Sequence, residues 1–124
     1  MIIGIHHIQL AMPVGGESSA RDFYSGLLGI KEVPKPELLA KRGGVWFESH
    51  DIRLHLGVEQ DFRPAQKAHP GLLVRDVQIL SERLAGAGYP VSDAEPLEGY
   101  EHLYVSDPFG NRLELLQAVR SSDA

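Results

Sequence analysis

Three histidines and one glutamate in this chain stand in words that otherwise read as strand: His7 in 2-IIGIHHIQLAM-12, His55 in 52-IRLHLGV-58, His69 in 69-HPGLLV-74 and Glu114 in 112-RLELLQ-117. They come in pairs. His7 and His69 open comparable words, and His55 and Glu114 sit at the centres of the matching words LHL and LEL. Neutral imidazole and carboxylate suit divalent first-row metals such as iron, manganese, nickel or zinc. Two histidines with one carboxylate is also the donor set of ferrous oxygenases, which keep positions open for substrate and oxygen. One strand histidine by itself is usually a hydrogen-bonded boundary residue, but a repeat-related set of three His and one Glu is hard to assign to chance. The pattern predicts that His7, His55, His69 and Glu114 hold one divalent metal ion (Fe2+, Mn2+, Ni2+ or Zn2+).

Such a site needs elements to carry it. Residues 2–12 are rich in β-branched and large apolar side chains and end at Pro13, which predicts a first strand. After the breaking segment 13-PVGGE-17, Ser18 or Ser19 is expected to cap a helix that puts Ala20, Phe23, Tyr24, Leu27 and Leu28 on one face, with Gly29 as its stop. Strands then follow at 44-GVWF-47 and 52-IRLHLGV-58, joined by the polar turn 48-ESHD-51. The second half repeats the plan. A strand at 69–74 precedes a helix over 77-VQILSERLAGAG-88 capped by Asp76, and strands at 102-HLYV-105 and 112-RLELLQ-117 flank the turn 106-SDPFGN-111. The order strand, helix, strands occurs twice, in a module over residues 2–58 and another over 69–117, with a linker at 59–68 and an unpatterned tail at 118–124. The fold class this predicts is α+β, two mixed sheets curled around a shared central cavity with helices outside.

Strand alternation sorts the side chains. His7, Gln9 and Ala11 share one face, as do Arg53, His55 and Gly57, and Arg112, Glu114 and Leu116. The apolar residues between them suit the helix-covered face, so the imidazoles are expected to point away from the core. Tyr104 and His102 stand shortly before Glu114, and from a neighbouring strand either can serve as a proton donor; plain packing is an equal alternative for Tyr104. Trp46 and Phe47 are adjacent and must face opposite ways, one lining the pocket and one entering the core. Arg53 and Arg112 are placed to meet an anionic substrate, with surface ion pairing the blander fate. His50 reads as a solvated turn residue, and His6 as an edge residue on the face opposite His7.

Composition narrows the partners. The 124 residues favour one domain, and a hydrophobic fraction of 43% is enough for a core. Twelve Lys and Arg against seventeen Asp and Glu leave a formal charge of −5, which repels nucleic acid. Without cysteine there is no disulfide, thiolate site or cysteine nucleophile. No apolar run has the length of a membrane span, and the N-terminus lacks a basic region followed by a long apolar stretch, so the expected location is the cytoplasm.

With these residues in place, the words 7-HIQLAMP-13, 20-ARDFYSGLLGI-30, 54-LHLGV-58, 69-HPGLLVRDV-77 and 107-DPFGNRLELLQ-117 resemble the vicinal oxygen chelate superfamily, which includes glyoxalase I, methylmalonyl-CoA epimerase, extradiol dioxygenases, fosfomycin-resistance thiol transferases and bleomycin-resistance proteins. The resemblance implies paired βαβββ modules with a metal between them. Its ligand positions fall on His7, His69 and Glu114; the fourth, commonly Glu or Gln in the isomerases, is here His55, an imidazole that can ligate or shuttle a proton, so the role of a catalytic carboxylate there does not transfer automatically. The implied activity is metal-dependent chemistry on neighbouring oxygens of a small-molecule substrate, as a dioxygenase or as a lyase or isomerase. Thiol addition to an epoxide antibiotic fits the triad as well. A homodimer, in some members with modules exchanged, is implied too. The alternative is a non-catalytic drug-binding protein of the bleomycin-resistance kind, with Trp46, Phe47, Tyr100 and Tyr104 available for stacking.

Overall fold

Val45 and Phe47 alternate with polar neighbours along one segment and Leu54 and Leu56 along the next. In the structure, a computed structural model that describes residues 1–119, these segments are paired strands with Val45 opposite Leu56 and Phe47 opposite Leu54. All four side chains are buried. The chain divides into two compact units, Met1–Pro64 and Ala65–Ala124.

In the first unit, β1 (Ile8–Met12), β2 (Glu32–Val33), β3 (Val45–Ser49) and β4 (Ile52–Val58) form a sheet in the order β1-β4-β3-β2. The β1–β4 pair is parallel and the others antiparallel. A short helix, α1 (Glu17–Ala20), runs directly into a π-helical segment (Arg21–Leu27), and a further turn, α2 (Glu37–Ala40), precedes β3. Ala20, Phe23 and Tyr24 are fully buried, and the Tyr24 ring lies 5.5 Å from that of Phe47. The close fit of β3 on β4 requires glycine at its start. Gly44 has φ +86, and a Cβ there would stand 2.3 Å from the Leu56 carbonyl oxygen.

The second unit repeats the order. Its strands β5 (Gly71–Leu73), β6 (Ser92–Asp93), β7 (Tyr100–Ser106) and β8 (Arg112–Ala118) are arranged β5-β8-β7-β6, with β5–β8 parallel. Helix α3 (Val77–Gly86) is capped by Asp76, whose Oδ1 accepts from the Ile79 amide at 3.0 Å. Leu72, Val77, Leu84, Leu103, Val105, Leu113 and Leu115 form the buried apolar set. The β7–β8 turn is locked by Asp107. Its Oδ1 accepts from the amides of Phe109 and Asn111, both at 2.8 Å, and its Oδ2 from Asn111 Nδ2 at 2.9 Å. Because turn geometry sets register, this network places Glu114 on β8.

The fold is α+β, two four-stranded mixed sheets each built in the order βαβββ. Several elements differ from the sequence expectations. β1 begins at Ile8 and β5 at Gly71, so His7 and His69 stand just before their strands rather than within them. The first helix starts after Gly16, without a side-chain cap from Ser18 or Ser19. It then widens, the Leu28 amide bonding five residues back to Phe23. Gly29, at φ 75, ends it as expected. α3 stops at Gly86, and Ala118, expected in the tail, belongs to β8; residues 120–124 of that tail lie outside the described residues. Among the described residues, no helix is long and apolar enough to cross a membrane.

Candidate functional site

The two pairing registers make the internal repeat explicit. Gln9 lies opposite His55 across β1–β4, and Gly71 opposite Glu114 across β5–β8. His7 and His69 each precede those partners by two residues, so they are equivalent, as are His55 and Glu114. On the other side, Trp46 is opposite His55 and Tyr104 is opposite Glu114. Each unit therefore sets a histidine, an aromatic residue and a central donor side by side.

In the first unit the centre is His55, which is 3% exposed. β4 lies between β1 and β3. From β3, Trp46 stacks on the imidazole at 4.0 Å between centroids and 4° between planes. From the β1 side, His7 stacks at 4.7 Å and 20°. His55 Nε2 is 2.9 Å from Glu48 Oε2, and Arg53 Nε approaches the other Glu48 oxygen at 3.9 Å. His6 also belongs here, its Nδ1 being 3.0 Å from Nδ1 of His7, and its carbonyl accepts from Arg53 Nη1 at 3.2 Å. His6, expected at a sheet edge on the face opposite His7, is exposed and stands just before the edge strand β1. Glu48 was expected in the turn. The turn proper is only His50 and Asp51, because Ser49 already pairs with Ile52, and this leaves Glu48 on β3 facing the site. The alternation Trp46–Glu48, on the face of Arg53 and His55, is the signal that would have found it.

In the second unit the centre is Glu114. His69 Nε2 is 3.0 Å from Oε1, and His102 Nδ1 is 2.5 Å from Oε2. Both histidines are anchored from behind, His69 Nδ1 on the Lys67 carbonyl at 2.8 Å and His102 Nε2 on the Glu95 carbonyl at 2.5 Å. The Tyr104 ring meets His69 edge-on at 5.4 Å, and the Arg112 guanidinium lies 4.0 Å over the Tyr104 ring. Burial would push the Glu114 carboxyl upward, but the bonds from His102 and His69 outweigh it and hold it below the usual carboxylate range. The bond to Glu114, and then that to the Glu95 carbonyl, raises His102 above the usual imidazole range.

Among the remaining predicted residues, Phe47 is corrected: it is fully buried in the core against Tyr24, so of the adjacent aromatics only Trp46 faces the site. Arg53 is exposed and engaged with Glu48 and the His6 carbonyl, while Arg112 is partly buried on Tyr104. His50 is exposed in its turn, at φ 52.

The donors fit a divalent ion in part. Ligands about 2.1 Å from an ion and at right angles stand roughly 3 Å apart, the separation of His69 Nε2 and Glu114 Oε1. The stacked rings of His7 and His55 send their in-plane lone pairs out side by side instead. Among the described residues, no group of three or more His, Asp or Glu side chains is arranged to hold a metal ion. The structure brings the four expected donors together as two pairs, His7 with His55 and His69 with Glu114.

Comparison with known proteins identifies the family and the fold. Residues 4–115 match the family model of the glyoxalase/bleomycin resistance protein/dioxygenase superfamily. A glyoxalase family protein from Bacillus anthracis is 44% identical, with a TM-score of 0.90 over 96% of this chain and 98% of that one. Two more distant structures share the fold. FosX, a genomically encoded fosfomycin resistance protein from Listeria monocytogenes, is 17% identical (TM-score 0.75, 96% and 94% of the two chains). TnmS3, an antibiotic binding protein from Streptomyces sp. CB03234, is 23% identical (TM-score 0.70, 95% and 100%). No curated protein matches the chain.

Proposed function

The chain belongs to the glyoxalase/bleomycin resistance protein/dioxygenase superfamily, and from that premise we propose that it is a metal-dependent enzyme acting on neighbouring oxygens of a small molecule. The observation that carries this reading is the His69–Glu114 pair, two donors at cis-ligand separation at the register equivalent of His7 and His55. His7, His55, His69 and Glu114 are the residues assigned to hold one divalent ion. When bound, such an ion supplies Lewis-acid stabilisation of a developing enolate or oxyanion.

The chain's own groups supply orientation and proton handling. His102 has both ring nitrogens engaged, on Glu114 and on the Glu95 carbonyl, so its assigned part is to orient the Glu114 carboxylate rather than to donate to substrate. Tyr104 is the assigned proton donor, its ring set against His69 and under the Arg112 guanidinium. Trp46 offers an indole face to a planar substrate only where His55 leaves it open. The enzyme is proposed to work in the cytoplasm as a homodimer.

The test is elemental analysis of protein purified without added metal, for wild type, His69→Ala and Glu114→Ala. Near-stoichiometric metal in the wild type, lost from both variants with unchanged far-ultraviolet circular dichroism, supports the reading; equal metal content in all three rejects it. Oxygen uptake with catechol after anaerobic Fe2+ reconstitution assigns ring-cleaving dioxygenase chemistry. Turnover supported by Ni2+ or Zn2+ without oxygen uptake assigns lyase or isomerase chemistry. A second reading, antibiotic sequestration, draws on the matched aromatics Trp46 and Tyr104, and tight drug binding by metal-free protein would favour it.

A further inference from the structure

Each unit carries an arginine two residues before its central donor, Arg53 on β4 and Arg112 on β8. Their surroundings differ. Arg53 has Glu48 as its register partner, with Nε 3.9 Å from Glu48 Oε1, and its Nη1 donates to the His6 carbonyl at 3.2 Å. Arg112 has Ser106 as its register partner, so the repeat supplies a hydroxyl where the first unit supplies a carboxylate. Glu114, two residues along the same face, does not replace that carboxylate, because His69 and His102 occupy both of its oxygens.

The Arg112 guanidinium therefore has neither an ion pair nor a hydrogen bond among the described residues; its contact is the Tyr104 ring, 4.0 Å away at the centroid. It is also the one arginine among the described residues that is partly buried, the others being exposed. A guanidinium stays charged and presents five N–H donors. Drawing it partly out of water without an anion is unfavourable, and a ring face offsets that only in part.

We propose that Arg112 binds an oxyanion of the small molecule, with the Ser106 hydroxyl on the same face, so that the ligand of the second unit is an acid bearing a carboxylate or phosphate. The planar fork of a guanidinium meets two oxygens of such a group at once, and the Tyr104 ring holds the fork in place. Two strand residues span about 7 Å, so the anion and the part that faces Glu114 and Tyr104 belong to one compact molecule. Calling that molecule the substrate rests on the reading under Proposed function, which this deepens by naming the substrate class; the metal is not needed for it.

The full chain, labelled with 15N and free of metal, tests this by NMR titration with benzoate, phenyl phosphate and benzamide. These probes share a ring and differ in charge. At least one of the two anions should bind about 10- to 100-fold more tightly than benzamide and move the Arg112 Nε–H signal; the tighter one tells a planar from a tetrahedral group. Arg112→Gln should abolish the preference, and Arg112→Lys, which keeps the charge without the fork, should retain part of it. Arg53→Gln should leave it intact, because Glu48 already engages that arginine. Equal binding of all three probes, no saturable shift of Arg112 with either anion, or a preference that survives Arg112→Gln or disappears in Arg53→Gln would each overturn the proposal. Amide spectra report whether each variant keeps the fold, and the wild-type comparison of probes stands even where a variant unfolds. Elemental analysis decides the metal reading separately, so either reading can fail alone.

Discussion

The two units place opposite chemistry at one position of one scaffold. In the first, β4 carries an imidazole that a carboxylate grips from the neighbouring strand; in the second, β8 carries a carboxylate that two imidazoles grip. Either way the central polar group meets a partner of the complementary kind, as burial demands. The supporting residues diverge with it. Trp46 stacks on His55, whereas its equivalent Tyr104 turns its edge to His69 and takes Arg112 on its face. His102 stands where the first unit has Gly44, a position with no room for a Cβ against the Leu56 carbonyl. Only the second unit can therefore bring a second imidazole to its central donor from that site. The repeat preserves backbone and faces while leaving donor identity free to vary.

The largest expected effect probes what the units share. Leu54 and Leu113 lie next to His55 and Glu114 in sequence, point the other way, and are both fully buried. Leu54→Ala and Leu113→Ala should each destabilise by about 2–5 kcal/mol in chemical denaturation. A cost under about 1 kcal/mol in either would mean that the two cores are not equivalent. Next, His55→Glu gives the first unit the second unit's central residue but sets two carboxylates together at Glu48. It should cost about 1–3 kcal/mol at neutral pH, with part of the loss recovered on acidification as one carboxyl takes a proton. No change in stability with pH in that variant would break the contrast.

The His102–Glu114 bond predicts a pH signature confined to the second unit in metal-free protein. His102 is raised, so its contribution is complete below the ordinary imidazole pKa and is lost as pH rises through the raised value. Glu114 is lowered, so its contribution is complete above the ordinary carboxylate pKa and is lost as pH falls through the lowered value. Stability from the pair should therefore peak between the ordinary carboxylate and imidazole ranges. Subtracting the stability–pH profile of His102→Ala from that of wild type should isolate this peak, and parallel profiles would remove the pair as its source. The smallest effect is Arg112→Ala, which loses the guanidinium on Tyr104 and should cost about 0.5–1 kcal/mol in thermal unfolding.

Much of the scaffold was legible in the chain. The words around His7 and His69, and around LHL and LEL, revealed the repeat because strand alternation and turn residues act over a few neighbours; the Asp76 cap and the Asp107 turn are local in the same sense. β2 and β6 escaped because two residues are too few to show a period. Glu48 escaped because 48-ESHD-51 reads as one polar turn, and only the pairing of Ser49 with Ile52 shortens that turn to two residues and returns Glu48 to the strand. The same register chose between Trp46 and Phe47, sending one to the site and the other to the core.

The sequence by itself determined the inventory of donors and the faces they occupy, because composition and alternation are properties of the chain alone. Tertiary structure decided which atoms of those donors are occupied and which are left for chemistry. His55 is gripped at Nε2, Glu114 at both oxygens and His102 at both nitrogens, through contacts that come mostly from other strands. Hydrogen-bond partners at about 3 Å follow from strand register, which no single segment specifies.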